Sequence, residues 1–389
     1  MRGSIGSIRS AGLMLAVALA LSLLAPAGAS AAVSCARTGA VLDVGLSAPG
    51  DEAHLRLSGV NMQVRDKVFT LVACANAPTT GNVDTVNLVD SSGGNTLFSI
   101  DEVEGWAPGA SDSGGDAGAA TNEIEFNVLQ GPGAGDELEL DTDDTIVWGT
   151  NGINPNATPA ENTPDADITT TGTELHSGGG SFGSQTLSGA GGLGTGSAFN
   201  RPLELDGGFD DDLIEGGSGN DDLSGSFDDD VIRGGAGNDQ LSGSFDSDDI
   251  SGGPGVDTVN YRIVCASDED DCSVRVNLAD NGFVDGGTDD ESDVTPGKRD
   301  DVGSDVENIT GGADDDVLIG NGARNVLNGR LGRDRLFGKG GRDLLLARDF
   351  VQDLALNCGK GRRDRVKRDR FDPRGKRCEL PRKRKRKRR

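Results

Sequence analysis

Large aliphatic residues recur at every ninth position between residues 207 and 260. This stretch divides into six nine-residue units, and each unit starts with glycine and ends in a three-residue segment whose middle member is Ile, Leu or Val. These aliphatic residues are Ile214, Leu223, Ile232, Leu241, Ile250 and Val259. A turn of glycines and acids followed by a short strand predicts stacked turns that each point one side chain into a core. A disordered linker would not keep this spacing.

The units alternate between two types, so the full period is eighteen residues. Units two, four and six carry Gly at position four, whereas units one, three and five carry Phe at position three and Asp at position four. Two units then make one complete turn of a parallel β-roll with two chemically different edges. Each edge carries a column of sixth-position aspartates: Asp212, Asp230 and Asp248 on the odd edge, and Asp221, Asp239 and Asp257 on the even edge.

Carboxylates stacked at the strand spacing of roughly 4.8 Å repel one another unless a cation lies between successive turns. Calcium fits because it takes six to eight oxygens in a tolerant geometry, and glycine-rich turns expose backbone carbonyls that complete the shell. The glycines expected at these sites on the even edge are Gly217, Gly219, Gly235 and Gly237. The odd edge has Asp210, Asp228 and Asp246 at position four, which adds carboxylate oxygens where φ > 0 costs on the order of 1 kcal/mol.

The six units resemble the RTX calcium-binding nonapeptide repeat, whose pattern is GGxGxDxUx. GGSGNDDLS and GGAGNDQLS follow that pattern most closely. The resemblance implies a parallel β-roll with Ca²⁺ as its cofactor, bound by the aspartates and glycines named above. Residues 206–260 contain 15 acidic residues and one basic residue, so this part of the chain should stay expanded until cations neutralise it.

Four more nine-residue units follow from Gly311, after an insertion at residues 261–305 that contains Cys265, Cys272 and an alternating strand at 274–278. The new units keep the aliphatic position as Leu318, Leu327, Leu336 and Leu345. Asp316 keeps the sixth-position carboxylate, but Asn325 replaces it in the next unit. Arg324, Arg333 and Arg342 each stand immediately before that position. Because a guanidinium opposes a dication, this block is expected to stack but to bind calcium weakly or not at all.

The region of residues 32–200 is predicted to be all-β. Short alternating or aliphatic runs lie at 40–46, 54–57, 67–73, 83–89, 96–100, 123–129, 137–140 and 145–148, separated by Gly, Asn, Asp and Pro. A β-sandwich and a degenerate continuation of the solenoid both fit these runs. The order of Cys35, Cys74, DTVN at 84–87 and NEIEFN at 122–127 resembles the N-terminal part of secreted bacterial calcium-binding proteins with hemolysin-type repeats, which favours the solenoid.

The N-terminal segment and the cysteines predict export. Residues 1–31 combine basic residues, an apolar run at 13–24 and small residues at 27, 29 and 31, which predicts a secretory signal peptide. Six cysteines in an exported chain indicate disulfides, and proximity favours the pairs Cys35–Cys74, Cys265–Cys272 and Cys358–Cys378.

The last eight residues, Arg382 to Arg389, are all basic. They suit either a solvated tail or adhesion to an anionic cell envelope. Nucleic acid is not expected, since no aromatic residues are interleaved.

No catalytic motif stands out. A GxSxG match at residues 179–183 lies in a Gly/Ser-rich run, and no histidine follows it along the chain to complete a hydrolase triad. No HExxH occurs in the chain. Abundant acids leave carboxylate-pair glycosidase chemistry open. The sequence therefore predicts an exported, non-enzymatic calcium-binding β-solenoid with a structural or adhesive role, and the alternative is a secreted polysaccharide-active enzyme on the same scaffold.

The predicted organisation has six segments. A signal peptide occupies 1–31, an all-β region 32–200 and the calcium-binding roll 201–260. The insertion follows at 261–305, the degenerate repeats at 306–350 and a Cys-containing cap with the polybasic tail at 351–389.

Overall fold

The computed structural model describes residues 33–58, 61–79, 85–92, 96–100, 125–130, 137–141, 145–149, 152–154, 168–171, 175–179, 184–191, 195–261, 273–279 and 300–379. Within these ranges the chain is all-β, and no helix that could cross a membrane is present there. The predicted signal peptide, the Cys265–Cys272 pair and the polybasic tail lie outside the described residues. The chain forms two compact units, Met1–Thr145 with Gly152–Gly183 and Ile146–Asn151 with Ser184–Arg389.

The strands of the first part of the chain, all but β10 in the first unit, are β1 (Val33–Thr38), β2 (Val41–Leu46), β3 (Glu52–Ser58), β4 (Asn61–Asp66), β5 (Leu71–Val72), β6 (Thr85–Asp90), β7 (Leu97–Ile100), β8 (Glu125–Leu129), β9 (Glu137–Asp141), β10 (Thr145–Gly149), β11 (Gly152–Asn154), β12 (Ile168–Thr171) and β13 (Leu175–Gly179). One sheet of the unit has the order β1-β2-β6-β8-β12-β11, and the other has the order β13-β9-β7-β3-β4-β5.

The first unit pairs most of its strands in parallel. Successive strands β2, β6, β8 and β12 are parallel, as are β3, β7, β9 and β13, whereas β1/β2, β3/β4, β4/β5 and β11/β12 are antiparallel pairs. The register stacks the buried side chains of Leu42, Val86, Phe126 and Ile168 in one column. Parallel stacking is the pairing of a solenoid, whereas a sandwich is built from antiparallel sheets.

The strands of the first unit differ from the predicted runs in several places, since β1, β4, β11, β12 and β13 lie outside those runs. The run at 67–73 was expected to be a strand, but the chain reverses there because the Asp66 carboxylate accepts hydrogen bonds from the amides of Val68 and Thr70, at 3.1 and 2.8 Å. Phe69 has a φ of 60°. Only Leu71–Val72 of this run forms a strand, β5, and it pairs with the longer β4, where Met62 and Val64 are buried between polar neighbours.

The remaining strands, all in the second unit, are β14 (Thr186–Ser188), β15 (Leu203–Gly208), β16 (Leu213–Glu215), β17 (Asp222–Ser226), β18 (Val231–Arg233), β19 (Gln240–Ser244), β20 (Asp249–Ser251), β21 (Thr258–Asn260), β22 (Arg275–Asn277), β23 (Asp301–Val302), β24 (Asn308–Thr310), β25 (Val317–Ile319), β26 (Val326–Asn328), β27 (Arg335–Phe337), β28 (Leu344–Ala347), β29 (Ala355–Asn357) and β30 (Arg365–Arg368).

The second unit is a parallel β-roll with an eighteen-residue turn. One row of strands runs β14-β16-β18-β20-β23, and the opposite row runs β15-β17-β19-β21-β24-β26-β28-β30. Ile214 pairs with Ile232 and Ile232 with Ile250, so the predicted period and alternation are confirmed. Each of the six aliphatic residues of 207–260 is 0 % exposed. Because each unit buries one such side chain, the core is one thin column per row. Burying each of these side chains contributes about 1.5–3 kcal/mol.

The roll begins before the first complete nonapeptide. Strand β14 pairs in parallel with β16 and places Leu187 one turn before Ile214. Leu187 is 0 % exposed, and Leu205 in β15 stacks on Leu223 in the opposite row. The Gly/Ser-rich run around Leu187 therefore contributes an eroded turn rather than a linker, while Leu193 lies outside the described residues.

The row of strands from β15 to β30 continues without a break across the insertion, whereas the opposite row ends at β23. Strand β23 pairs with β20, and β24 pairs with β21, so residues 300–310 form the next turn after 249–260. Strand β22 opens a separate four-stranded sheet of order β22-β25-β27-β29, with Val276 buried against the roll.

Two of the predicted disulfides are present, Cys35–Cys74 and Cys358–Cys378.

Candidate metal centre

The sixth-position aspartates form two buried columns, one along each edge of the roll. Asp212, Asp230 and Asp248 are 3, 1 and 2 % exposed, and Asp221, Asp239 and Asp257 are 2, 0 and 0 % exposed. In each column Oδ1 of one aspartate accepts a hydrogen bond from the backbone amide of the aspartate one turn earlier. The distance is 2.9 Å from Asp212 to Asp230, from Asp230 to Asp248, from Asp221 to Asp239 and from Asp239 to Asp257.

The second carboxylate oxygen of these aspartates is buried without a hydrogen-bond donor. Within the described part of the chain, Oδ2 has no hydrogen-bond partner at Asp212, Asp230, Asp239, Asp248 and Asp257. Only Asp221 differs, since its Oδ2 accepts the amide of Gly217 at 2.8 Å. A buried carboxylate oxygen with no donor is costly, so its repetition along both columns indicates that a ligand belongs there.

The first glycine of each unit makes room for that oxygen. A Cβ atom at Gly225 would clash with Oδ2 of Asp230, and one at Gly243 would clash with Oδ2 of Asp248. On the even edge, a Cβ at Gly252 would lie 2.6 Å from Oδ2 of Asp257. The glycine at position one is therefore required by the carboxylate at position six, five residues later.

Burial strongly disfavours the charged form of these aspartates when no cation is bound. Desolvation, together with neighbouring carboxylates, raises the pKa of Asp212 to about 6, that of Asp239 to about 7 and that of Asp230 to about 8. The pKa of Asp248 is also raised by burial and by the adjacent Asp300 carboxylate. A divalent cation between the turns would remove both causes, because it supplies the missing positive charge.

The even edge also brings backbone carbonyls close to the next turn. A Cβ at Gly235 would clash with the carbonyl oxygen of Gly217, and one at Gly237 would clash with the carbonyl oxygen of Gly219. Gly235 also has a φ of 91°, which a residue with a side chain rarely adopts. All four glycines expected at the metal sites thus lie where a Cβ atom would clash with a backbone carbonyl of the preceding turn.

The fourth-position aspartates have the expected backbone conformation but lie at the surface. Asp210, Asp228 and Asp246 have φ of 68, 71 and 68°. Asp210 and Asp228 are exposed, and Oδ2 of Asp228 accepts the amide of Asp210 at 3.0 Å. These carboxylates add negative charge near Asp212 and Asp230, while the buried column itself is made by position six.

Both columns extend across the insertion through two residues that the sequence pattern missed. Oδ1 of Asp300 accepts the amide of Asp248 at 3.2 Å, and Oε2 of Glu307 accepts the amide of Asp257 at 2.9 Å. Asp300 lies 52 residues after Asp248, outside the nine-residue spacing, so no periodic signal in the sequence identifies it. Glu307 stands nine residues before Asp316, so the spacing of the later block points to it, although glutamate replaces aspartate there.

The later block repeats the same geometry. Asp316, Asp334 and Asp343 are at most 2 % exposed, and the amide of Asp316 donates to Oδ1 of Asp334 at 3.0 Å. Within the described residues, Oδ2 has no hydrogen-bond partner at Asp334 and Asp343, two residues absent from the predicted metal set. The flanking Arg324, Arg333 and Arg342 are all exposed, because adjacent positions face opposite ways. Burial and neighbouring carboxylates raise the pKa of Asp334 to about 8. Weak or absent calcium binding by this block stays a prediction.

The donor set fits calcium better than a transition metal. Within the described residues, no three or more His, Cys, Asp or Glu side chains converge on one point. An ion between two turns would therefore take carboxylate oxygens from two aspartates and complete its shell with backbone carbonyls. Oxygen donors in a flexible, irregular arrangement suit Ca²⁺, whereas Mg²⁺ demands near-ideal octahedral geometry.

Comparison with known families agrees with this assignment. Four copies of the RTX calcium-binding nonapeptide repeat match the chain, at residues 204–232, 224–259 and 307–345. No curated protein matches the chain. The two buried aspartate columns of the roll thus lie in RTX repeats, and RTX nonapeptide repeats bind Ca²⁺.

Proposed function

We propose that this calcium-binding β-roll protein is exported and acts outside the cell as a non-enzymatic structural or adhesive protein. The observation that carries the proposal is the row of buried carboxylate oxygens without donors along both edges. At neutral pH such a roll should need an abundant divalent cation, because the buried carboxylates are otherwise uncompensated. Extracellular calcium modules work at about 10⁻⁴–10⁻³ M, far above cytosolic calcium levels.

Two further features support export. The N-terminal residues 1–31 have the composition of a signal peptide. The disulfides Cys35–Cys74 and Cys358–Cys378 are of the kind that forms and persists in oxidising compartments.

An adhesive role is supported by the surface charge of residues 320–379. This segment has 17 basic residues, none of them buried, and eight acidic residues. Five of the eight acids are withdrawn into the buried columns, namely Asp334, Asp343, Asp353, Asp364 and Asp372. The surface is therefore strongly cationic, and it is followed by the basic residues from Arg382 to Arg389. Both elements suit an anionic cell envelope.

The placement of the buried acids supports a non-enzymatic role. Among the described residues of the second unit, every buried carboxylate belongs to one of the two edge columns. A polysaccharide-cleaving site would need a pair of carboxylates that face a substrate groove.

Calcium titration of metal-free protein tests the calcium-dependent part of the proposal. The far-UV circular dichroism signal of β-structure should rise at about 10⁻⁴–10⁻³ M Ca²⁺ and respond poorly to the same concentration of Mg²⁺. An equal β-signal in excess chelator and in millimolar calcium would contradict it.

Retention on isolated anionic cell walls tests the adhesive part. Replacing the residues from Arg382 to Arg389 with eight serines should lower retention without changing the calcium titration, and retention of the unaltered chain should fall steeply with salt. Retention that depends neither on the tail nor on salt would refute adhesion by charge.

A further inference from the structure

The last turn of the roll lies outside the RTX matches. Residues 358–364 stack on the turn of residues 338–343, and β30 pairs in parallel with β28. The amide of Asp343 donates to Oδ1 of Asp364 at 3.1 Å, across a separation of 21 residues instead of eighteen. The three extra residues break the nonapeptide spacing, yet the hydrogen bond between these two successive members of one column is kept.

Asp343 and Asp364 repeat the features of the even-edge aspartates Asp239 and Asp257. They are 2 and 1 % exposed. Oδ2 of each has no hydrogen-bond partner within the described part of the chain, as for Asp239 and Asp257. Two buried carboxylate oxygens without donors thus lie on adjacent turns.

The backbone around this pair is also arranged as on the even edge. A Cβ at Gly359 would clash with the carbonyl oxygen of Lys339, and one at Gly361 would clash with that of Gly341. Gly235 and Gly237 have the same relation to the carbonyls of Gly217 and Gly219. Gly359 has a φ of 86°, close to the 91° of Gly235.

One position in the same column carries a side chain whose hydrogen bonds are made within the protein. Asn325 lies one turn before Asp343 in this column. Its Nδ2 donates to the backbone carbonyl of Glu307 at 2.8 Å and to Oδ1 of Asn321 at 3.2 Å. The side-chain amide therefore satisfies itself within the protein. Asp343 and Asp364 have no such donors, so their second oxygens require a ligand.

We propose that Asp343 and Asp364, with backbone carbonyls of residues 338–343 and 358–364, bind one calcium ion in the C-terminal cap. The neighbouring Arg342 and Arg363 are exposed, so their guanidinium groups face solvent rather than the ion. The disulfide Cys358–Cys378 holds the outer turn in place. The cap is then closed by metal as well as by covalent bonding, independently of any surface role of the protein.

The test counts calcium ions per chain by equilibrium dialysis of the full-length protein. Asp364→Asn keeps the Oδ1 acceptor for the amide of Asp343 and removes the charge, so about one ion fewer should bind per chain. Asp343→Asn removes the same ion and keeps the acceptor for the amide of Asn325. Because the ion is shared, the double variant should lose no more than either single variant.

Glu379→Gln is the matched control. Glu379 is an exposed acid of the same cap whose Oε1 accepts the amide of Arg363, and the substitution keeps that acceptor. It should leave the number of ions unchanged. In saturating calcium, hydrogen exchange of residues 358–379 should be faster in Asp364→Asn and unchanged in the control. An unchanged ion count in Asp364→Asn, or a double variant that loses two ions, would overturn the proposal.

Discussion

The amide of Asp230 donates a 2.9 Å hydrogen bond to Oδ1 of Asp248, one turn further along the roll. At the preceding residue the hydrogen bond runs to the earlier turn instead, since the backbone amide of Asp229 donates to Oδ1 of Asp211 at 3.1 Å. Adjacent turns are thus tied in both directions through side-chain carboxylates. The sixth-position carboxylate has a second oxygen left over, and the fifth-position side chain is exposed. From this difference we expect metal binding at position six and stacking at position five.

Removing one carboxylate from each edge tests whether both edges bind calcium. Asp230→Asn and Asp239→Asn each keep the Oδ1 acceptor but remove the central charge shared by two ions, so each should lower the calcium stoichiometry and raise the midpoint of the titration. We expect both edges to bind. A variant Asp230→Asn that binds as the unaltered chain does, beside a weakened Asp239→Asn, would limit calcium to the even edge.

Asp229→Asn provides the control for these variants. It removes the same charge from the same turn, at a position where the even edge carries Asn220 and Asn238. The Asn238 amide donates to Oδ1 of Asn220 at 2.8 Å, so asparagine supports the stacking bond there. Calcium stoichiometry should therefore be unchanged in Asp229→Asn.

Acid should order the roll when calcium is absent. The pKa values of Asp212, Asp239 and Asp230 rise from an ordinary 3.8 to about 6, 7 and 8, so the folded roll binds more protons than the unfolded chain between those limits. Stability contributed by these groups is present below pH 3.8 and is lost as pH rises through 6–8. Metal-free protein should show more β-structure by circular dichroism at pH 4.5 than at pH 8. The opposite trend would mean that the carboxylates are stabilised as anions by groups of the protein itself.

The glycine at position one should be needed for calcium binding rather than for the turn alone. Gly225→Ala places a methyl group against Oδ2 of Asp230 and should raise the calcium midpoint. Gly322→Ala is the control, because a Cβ there has no neighbour within 4 Å and its φ is not positive. Calcium titration followed by circular dichroism should show no loss in Gly322→Ala. Equal effects of the two substitutions would remove the link between position one and the ion.

The stacked phenylalanines of the odd edge should stabilise the roll without binding metal. Phe227 lies between Phe209 and Phe245, with ring centroids 4.8 and 4.9 Å apart and interplanar angles of 9 and 6°. Aromatic pairs contribute about 0.5–1.5 kcal/mol each, so Phe227→Leu, which removes two pairs, should cost roughly twice as much as Phe245→Leu, which removes one, in the free energy of unfolding measured in saturating calcium. Leucine suits this position of the turn, since Leu331 occupies it in the later block. Calcium stoichiometry should not change in either variant.

The repeat region could be predicted from sequence in considerable detail. The eighteen-residue period, the inward Ile214, Ile232 and Ile250, and the two aspartate columns followed from residue type and spacing alone. They could be predicted because each environment in a roll recurs at a fixed interval, so the turn, the carboxylate and the core position leave a periodic signal. The φ > 0 conformation of Asp210, Asp228 and Asp246 followed from the comparison with glycine at the same position.

Register across irregular segments was decided only by the tertiary structure. Asp300, Asp353 and Asp364 join the columns at separations of 52, 19 and 21 residues, so no period identifies them. Strand pairing and inter-turn hydrogen bonds select these residues, whatever the length of chain between them. The direction of a side chain was also beyond the sequence: Arg342 and Asp343 are neighbours in the chain, but the backbone turns the guanidinium outward and buries the carboxylate. Their charges therefore act in different surroundings, which composition alone does not distinguish.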